Sequence, residues 1–278
     1  MIKLAAALLA LGLSGCAATG AGPGRALPAG AHYVAAGSSF AAGSGIEPFK
    51  DGPKRCQRSG RNYATLLAAR LQLTLDDQTC GGAKTAHLLG PWNELAAQLD
   101  AVRPDTRLVT ATIGGNDLNY AAYLMLASCP GGTMQVGTMR IACRTVPTPA
   151  EADYAALEAN LRAIVRRVKA RAPRARVVFV QYVALVPERP CDGANLPADK
   201  AQAAREIGRR LAEVTARAAR AEGGEVLEMD TLSRGHGPCD PAPWSFGTQA
   251  VAGEGMVWHP TGAAHAAIAA LLAERLGG

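Results

Sequence analysis

The sequence has few aromatic residues, which make up 5% of its 278 positions. Proteins that bind single-stranded nucleic acid stack bases on aromatic side chains, and there are too few here for such a platform. The net charge is +6, and it falls by one unit once Lys3 leaves with a cleaved N-terminal segment. The basic residues between Arg162 and Arg171 share a helical segment with apolar positions, which is typical of a solvated helix face. We therefore expect no nucleic-acid partner, while weak attraction to an anionic membrane surface or polysaccharide remains open.

Several cofactor motifs are also absent. The sequence has no C-x-x-C, no H-E-x-x-H and no G-x-x-x-x-G-K. These absences argue against a zinc site and against a phosphate-binding loop. The G-x-S-x-G elbow of α/β-hydrolases is missing too, because the closest segment reads Gly37-Ser38-Ser39-Phe40-Ala41. We expect no metal and no other cofactor.

The apolar run near the N-terminus is too short to span a bilayer. Lys3 precedes the run Leu4 to Leu13, and Leu13-Ser14-Gly15-Cys16 closes it. This pattern is typical of a signal peptide, and its end resembles the lipobox of bacterial lipoproteins, whose cysteine is lipidated. An ordinary signal peptide cut nearby is the alternative. Either interpretation predicts export. Residues 17–30, "AATGAGPGRALPAG", are expected to form a flexible tether to one domain spanning 31–278.

Six cysteines remain after Cys16 is set aside. An even number of cysteines in an exported protein favours disulfides, although six allow fifteen connectivities. We favour pairing of neighbours, because it closes three separate local loops. The predicted pairs are Cys56–Cys80, Cys129–Cys143 and Cys191–Cys239.

Strand-like apolar segments alternate with helical patterns along the chain. Strands are predicted at 32–36, 107–113, 176–183 and 224–230, with a weaker one at 71–78. Helices are predicted at about 60–71, 91–103 and 261–277, and around Tyr154–Val168 and Ile207–Ala218. This alternation predicts a parallel sheet covered by helices on both faces. Active sites of such sheets lie beyond the carboxyl ends of the strands.

Three glycine-rich segments follow predicted strands: "GSSFAAG" after the first, "GGND" (114–117) after the central strand, and "CGGAK" (80–84) after the weak one. A serine hydroxyl becomes a nucleophile when a base takes its proton, and the resulting oxyanion needs donors. Of the five histidines, His259 is the best candidate base, since His-Pro-Thr-Gly places it on a loop at the start of a helix.

Four segments together resemble the motif blocks of GDSL-type hydrolases of the SGNH group. The match is to the branch of secreted actinobacterial-type esterases and lipases with three disulfides. "AAGSSFAAGSG" places the nucleophile at Ser39, and "CGGAKT" and "TIGGNDLNY" place oxyanion-hole donors at Gly82 and Asn116. "WHPTGAAHA" places the base at His259, and the Ser39 N–H is a third donor. The resemblance implies a flavodoxin-like three-layer α/β/α fold with about five parallel strands.

The sequence departs from that pattern at two positions. The aspartate usual before the nucleophile is Ser38, which also leaves Ser38 as a rival nucleophile. The acid usual three residues before the histidine is Met256, so we expect the Met256 backbone carbonyl to orient the imidazole. A carboxylate elsewhere, Asp240 or Glu254, is the alternative.

These observations predict a monomeric, membrane-anchored or secreted serine esterase or lipase of the cell envelope. It would act on ester substrates through an acyl-enzyme formed by a Ser39–His259 dyad. Two alternatives are a non-catalytic protein that binds glycan or lipid on the same fold, and an acyltransferase using the same dyad. Trp258, next to the histidine, is a candidate wall of an acyl pocket.

Overall fold

The computed structural model describes residues 26–129, 131–136 and 139–277. The predicted signal peptide, Cys16 and most of the predicted tether lie outside the described residues. Within these ranges no helix is both long enough and apolar enough to cross a membrane. The last tether residues are already attached to the fold, because the Leu27 N–H donates to the Leu276 carbonyl and the Gly30 N–H to the Gln72 carbonyl. The described fold therefore begins before His32.

Helices separate most of the strands along the chain. The strands are β1 His32–Gly37, β2 Thr74–Asp77, β3 Leu108–Thr112, β4 Thr133–Val136, β5 Met139–Ala142, β6 Arg176–Val180 and β7 Glu225–Leu227. The helices are α1 Ser39–Ala42, α2 Tyr63–Leu71, α3 Thr85–Leu89, α4 Tyr120–Ala127, α5 Glu151–Arg171, α6 Ala198–Ala221, α7 Met229–Leu232 and α8 Gly262–Gly277. Short 3₁₀ turns lie at Lys54–Cys56, Gln98–Ala101 and Asp192–Ala194.

Five parallel strands form the central sheet in the order β2-β1-β3-β6-β7. In its centre Val34 is in register with Val109, and Val109 with Val177. Every residue of β1 and β3 is buried, as expected for strands covered on both faces. The predicted fold class is confirmed: the sheet lies between helical layers in a three-layer α/β/α arrangement. Because the strands are parallel, the loops after β1, β2 and β3 meet at one edge of the sheet.

The helical layers follow from the apolar spacing of the long helices. On α5 the buried positions are Tyr154, Leu157, Leu161, Ile164, Val165 and Val168. This stripe recurs every three to four residues, and α5 packs beside α6, which buries a similar stripe. Helix α2 packs along α8, and the Asn62 side chain caps α2 by accepting the Thr65 N–H at 2.9 Å. The first and last long helices of the fold therefore lie side by side.

One predicted helix is wrong, and other elements had not been predicted. Residues 91–103 form a tight turn in which Trp92 pairs with Leu95, followed by the short 3₁₀ turn. Asn93 has a φ of +53°, a left-handed conformation that an α-helix cannot contain. Helix α4 is apolar or small at every position, so it has no periodic pattern to predict it. The β4–β5 hairpin had not been predicted either.

The six cysteines form three bridges in the structure. Cys56 is bonded to Cys80, Cys129 to Cys143, and Cys191 to Cys239. This is the neighbour pairing favoured from the sequence. The first bridge lies directly before the glycine-rich loop that follows β2, where the Gly81 N–H also donates to the Cys56 carbonyl at 3.0 Å. That loop is therefore held at the sheet edge by a covalent and a hydrogen-bonded link.

Candidate active site

The turn after β1 exposes Ser39 and buries Ser38. Ser39 is the first residue of α1 and is partly exposed, whereas Ser38 is completely buried. The Ser38 N–H donates to the Thr112 carbonyl at 3.0 Å, which ties this turn to the end of β3. The Ser38 hydroxyl lies 3.3 Å from the Tyr182 hydroxyl, and among the described residues no hydrogen bond joins it to a histidine. The geometry therefore disfavours the rival interpretation of Ser38 as the nucleophile.

His259 lies beside Ser39, although 220 residues separate the two along the chain. Its Nε2 atom is 2.9 Å from Ser39 Oγ, within the range of a nucleophile–base hydrogen bond. Only 3% of the histidine is exposed, and its ring packs on Phe40 with a centroid separation of 4.6 Å. The His259 carbonyl accepts the Phe246 N–H at 2.9 Å, which fixes the loop before α8.

The imidazole is oriented by a different carbonyl from the one expected. His259 Nδ1 lies 2.8 Å from the Val257 carbonyl oxygen. The Met256 carbonyl instead accepts the His259 backbone N–H at 3.2 Å, as the three-residue spacing of a turn requires. The Met256 side chain packs against Gly45, where a Cβ atom would lie 2.7 Å from Met256 Cγ. The assignment of Met256 is therefore corrected to Val257.

Neither alternative carboxylate orients the histidine. Asp240 accepts the Gly237 N–H at 2.6 Å, within its own loop. Glu254 forms an ion pair with Arg61 at 3.0 Å, and both side chains are about half exposed. The partner of Nδ1 is thus neutral, and the imidazole has no carboxylate at that nitrogen.

Burial and this carbonyl together define the protonation of His259. Burial lowers its pKa from 6.5 to about 4, and the Val257 carbonyl offsets only part of that shift. The ring is therefore neutral at pH 7. A carbonyl oxygen only accepts, so the proton is assigned to Nδ1 and the lone pair to Nε2, facing the Ser39 hydroxyl. This is the tautomer that can take a proton from Ser39.

Gly82 and Asn116 lie on two loops that are hydrogen-bonded to each other. The Asn116 side-chain Nδ2 donates to the Ala83 carbonyl at 2.9 Å, next to Gly82. The Cys80 N–H donates to the Gly37 carbonyl at 3.0 Å, so the Gly82 loop also joins the nucleophile turn. Gly82 has a φ of +81°, which favours glycine. Among the residues described, no hydrogen-bond acceptor is paired with the backbone N–H of Ser39 or of Gly82.

Two polar side chains, the buried Gln98 and the partly buried Asp117, brace these loops and had not been singled out. The Gln98 amide pairs with both backbone groups of Gly37, accepting its N–H at 2.7 Å and donating to its carbonyl at 3.1 Å. Asp117 accepts the Thr85 N–H at 3.1 Å and holds the start of α3. Gln98 stands within the segment wrongly predicted as a helix. Asp117 belongs to the "GGND" motif, but its partner could be found only in the fold.

The tryptophans take different positions around the site. Trp258 is completely buried, and its Nε1 donates to Ser128 Oγ at 3.1 Å, so it supports the histidine loop and offers no surface to a substrate. Trp92 is partly exposed and lies against Gly82, where a Cβ atom would be 3.4 Å from the ring. Arg55 lies 4.1 Å over the Trp92 ring, and His87 stacks on it at 4.2 Å. This stack borders the Gly82 loop.

The other histidines do not join the Ser39 site in the described part of the chain. His265 is buried in α8 and accepts the Tyr63 N–H through Nδ1 at 3.1 Å. His32 contacts Thr106, and His236 stacks on Trp244. Across the described ranges, no three His, Cys, Asp or Glu side chains are grouped so that they could hold a metal ion. The chemistry that this arrangement supports is nucleophilic attack by Ser39 with His259 as base.

Known proteins share both the sequence pattern and the fold. The model of the GDSL-like Lipase/Acylhydrolase family matches residues 35–267. Lipase 2 of Streptomyces coelicolor is 34% identical over 241 residues, which cover 84% of this chain and 80% of that protein. The extracellular lipase of Streptomyces rimosus has a TM-score of 0.69 and 25% identity, with 89% of this chain and 99% of that chain covered. Phospholipase A1 of Streptomyces albidoflavus shares the fold, with a TM-score of 0.69, 24% identity, and coverage of 90% and 100%. The chain therefore belongs to the GDSL-like Lipase/Acylhydrolase family and is, through that family, a carboxylic ester hydrolase.

Proposed function

We propose that this ester hydrolase works through a Ser39–His259 dyad oriented by the Val257 carbonyl. The observation that carries the proposal is the 2.9 Å contact between Ser39 Oγ and the neutral His259 Nε2. Ser39 is partly exposed and stands at the carboxyl end of a parallel strand, where open α/β sheets place their active sites. The neutral Nδ1 partner fixes the tautomer, which is the main role of the third member of a triad.

The reaction has two stages. Ser39 Oγ attacks the ester carbonyl carbon while its proton moves to His259 Nε2, and the carbonyl electron pair becomes an oxyanion. The carbon–oxygen bond to the alcohol then breaks, and Nε2 returns the proton to the leaving oxygen. Water attacks the acyl-enzyme in the same way and gives up a proton to Nε2. The acid is released, and Ser39 Oγ regains its proton.

Three donors would stabilise the oxyanion in this scheme: the N–H of Ser39, the N–H of Gly82 and one N–H of the Asn116 side chain. The other Asn116 N–H donates to the Ala83 carbonyl, which holds the amide plane in place. Preorganised donors of this kind lower the barrier because they need not reorient as charge develops. The Cys56–Cys80 bridge and the Cys80–Gly37 hydrogen bond restrain the Gly82 loop.

The proposed substrates are carboxylic esters of lipids, as the name lipase carried by the matching Streptomyces proteins suggests. Three disulfides are typical of proteins that function outside the cytoplasm. We further propose that Cys16 carries the lipid anchor and that the protein acts as a monomer at the cell envelope. Replacing Cys16 by Ala should move the protein from the membrane fraction to the soluble fraction. Unchanged membrane association would contradict the anchor.

The dyad is tested by ester hydrolysis in matched serine variants. Ser39→Ala should lower the release of nitrophenol from short- and medium-chain esters by about 10⁴-fold or more. Ser44→Ala is the control, because Ser44 lies in the same segment, is buried, and has a hydroxyl without a partner in the described residues. A fluorophosphonate probe should label the native chain and Ser44→Ala but not Ser39→Ala. Native activity in Ser39→Ala, or a native chain that neither hydrolyses nor labels, would overturn the proposal.

A further inference from the structure

The serine that replaces the expected aspartate belongs to a buried hydrogen-bonded chain. Ser38 Oγ lies 3.3 Å from the Tyr182 hydroxyl and 3.4 Å from the Thr112 carbonyl oxygen. The Tyr182 hydroxyl in turn accepts the backbone N–H of Gly115 at 2.9 Å. Gly115 immediately precedes Asn116, the proposed oxyanion donor. These hydrogen bonds thus connect the nucleophile turn to the loop that carries Asn116.

The donors and acceptors of this chain can be assigned without leaving a group unpaired. The Thr112 carbonyl only accepts, so the Ser38 hydroxyl donates to it. The Ser38 oxygen then accepts the Tyr182 O–H, and the Tyr182 oxygen accepts the Gly115 N–H. Burial raises the pKa of Tyr182 well above its usual value, so the hydroxyl keeps its proton. The three groups are neutral, where an aspartate would have buried a charge.

The tyrosine also fixes the Gly115 backbone sterically. A Cβ atom on Gly115 would lie 2.7 Å from the Tyr182 hydroxyl, so the loop approaches as closely as a glycine permits. The Tyr182 ring also packs toward the histidine side of the site. Tyr182 packs on Phe40 with centroids 4.4 Å apart, and Phe40 packs on His259 at 4.6 Å. Tyr182 therefore contacts both the backbone beside Asn116 and the residue that supports the base.

We propose that Tyr182 is a positioning residue for the oxyanion loop and that, with Ser38, it takes over the hydrogen-bonding role of the aspartate expected at position 38. The inference rests on the proposed function of Ser39, His259 and Asn116. Tyr182 touches no reacting atom. It acts by holding the Gly115 N–H, and through it Asn116, at a fixed distance from the nucleophile turn. Its loss should therefore weaken stabilisation of the transition state more than binding of the substrate.

The test compares two tyrosines whose hydroxyls lie at the same end of the sheet. Tyr182→Phe removes only the hydroxyl and should lower kcat about ten-fold, with KM changed by less than about two-fold. Tyr63→Phe is the matched control, because Tyr63 is fully buried and its hydroxyl lies 3.3 Å from Thr112 Oγ1, away from Gly115. Its kcat should stay within about two-fold of the native value.

A second measurement separates positioning from a loss of stability. An alkylboronic acid forms a tetrahedral adduct on Ser39 that mimics the charged intermediate. Its inhibition constant should rise about ten-fold in Tyr182→Phe, in proportion to the loss of kcat, and stay constant in Tyr63→Phe. Should Tyr182→Phe fail to fold, Ser38→Ala removes the acceptor of the Tyr182 proton while keeping the tyrosine. This variant should lower kcat about three-fold.

Native kcat and boronate affinity in Tyr182→Phe would overturn the inference, as would equal losses in Tyr182→Phe and Tyr63→Phe. In both cases Ser39→Ala would still be inactive, and the dyad would stand. Native activity in Ser39→Ala would overturn the proposed function itself, so the two failures are distinguishable.

Discussion

The Nδ1 atom of His259 lies 2.8 Å from the carbonyl oxygen of Val257, two residues earlier in the chain. This contact replaces the carboxylate that usually orients the histidine of a serine hydrolase. A carbonyl dipole holds the tautomer, but it attracts the imidazolium less strongly than a full negative charge would. The pKa of His259 is therefore dominated by burial, and the pH dependence of the enzyme should show it.

We expect catalysis to persist well into the acidic range. In the proposed dyad, His259 can act as the base only when neutral, and its pKa is lowered from 6.5 to about 4. Activity should be lost as the pH falls through the folded-state pKa, so kcat/KM should have its acidic midpoint near pH 4. The measurement is a pH–rate profile with a nitrophenyl ester, corrected for unfolding. A midpoint at 6.5 or above would show that the free enzyme carries a more strongly stabilised imidazolium.

Introducing a carboxylate at position 256, where the acid usually stands, should not raise kcat. Met256→Asp places a carboxylate three residues before the histidine, but the Met256 side chain is directed at Gly45 and Nδ1 is already bonded to Val257. We expect kcat to change by less than about three-fold, since no transition-state contact is gained. Steady-state kinetics of Met256→Asp beside Met256→Asn separates charge from shape. A rise of ten-fold or more with Asp alone would show that the carboxylate reaches the imidazole, contrary to our assignment.

Loss of the Asn116 side-chain amide should lower kcat far more than loss of the side-chain amide of Asn119. Asn116→Ala should lower kcat by about 10²–10³-fold, as removal of one oxyanion donor typically does. Asn119→Gly is the control, because Asn119 lies three residues on in the same loop, is exposed, and has a φ of +53° that glycine tolerates. Its kcat should be native. Similar losses in the two variants would point to a general loosening of the loop and away from an oxyanion role.

The Cys56–Cys80 bridge should affect both stability and rate. Its sequence separation of 24 predicts a loss of about 3 kcal/mol in the free energy of unfolding when both cysteines become Ala. Since the bridge restrains the loop of Gly82, kcat should fall as well. The Cys129–Cys143 pair is a useful control, because neither of its cysteines belongs to that loop. Urea denaturation and kinetics on both double variants test this. A native kcat without the Cys56–Cys80 bridge would mean that hydrogen bonds alone hold Gly82.

His265 should make the fold sensitive to acid. Its pKa is lowered from 6.5 to about 4 by burial, so the unfolded chain binds more protons than the folded chain between these values. The contribution of His265 to the free energy of unfolding is fully present above pH 6.5. It is lost as the pH falls toward 4, by up to about 1.4 kcal/mol per pH unit. His265→Gln keeps an acceptor for the Tyr63 N–H and should flatten the dependence. Urea denaturation of both proteins at pH 7 and pH 5 measures the difference. An identical loss in the free energy of unfolding between these two pH values in both proteins would contradict the assignment.

The sequence predicts the centre of the sheet well because β1 and β3 are runs of small and apolar residues that are buried on both faces, whereas the polar edge strand β2 gives a weaker signal. It also singles out Ser39 and His259, since each stands in a motif with a characteristic order of small residues, and the fold brings their side chains to 2.9 Å. The orienting carbonyl was misplaced by one residue, because the choice between Met256 and Val257 depends on how one turn closes. Gln98 and Tyr182 gave no signal at all. Each is a single polar residue whose partners, Gly37 and Gly115, lie 61 and 67 positions away.

The distance along the chain between the two dyad residues has a consequence for biosynthesis. Ser39 belongs to the first helix, whereas His259 precedes the last one, and α8 must pack on α2 before the histidine loop is in place. A partly synthesised or still unfolded polypeptide holds the nucleophile without its base. In the proposed mechanism, hydrolysis therefore begins only when the chain has folded as far as its last helix.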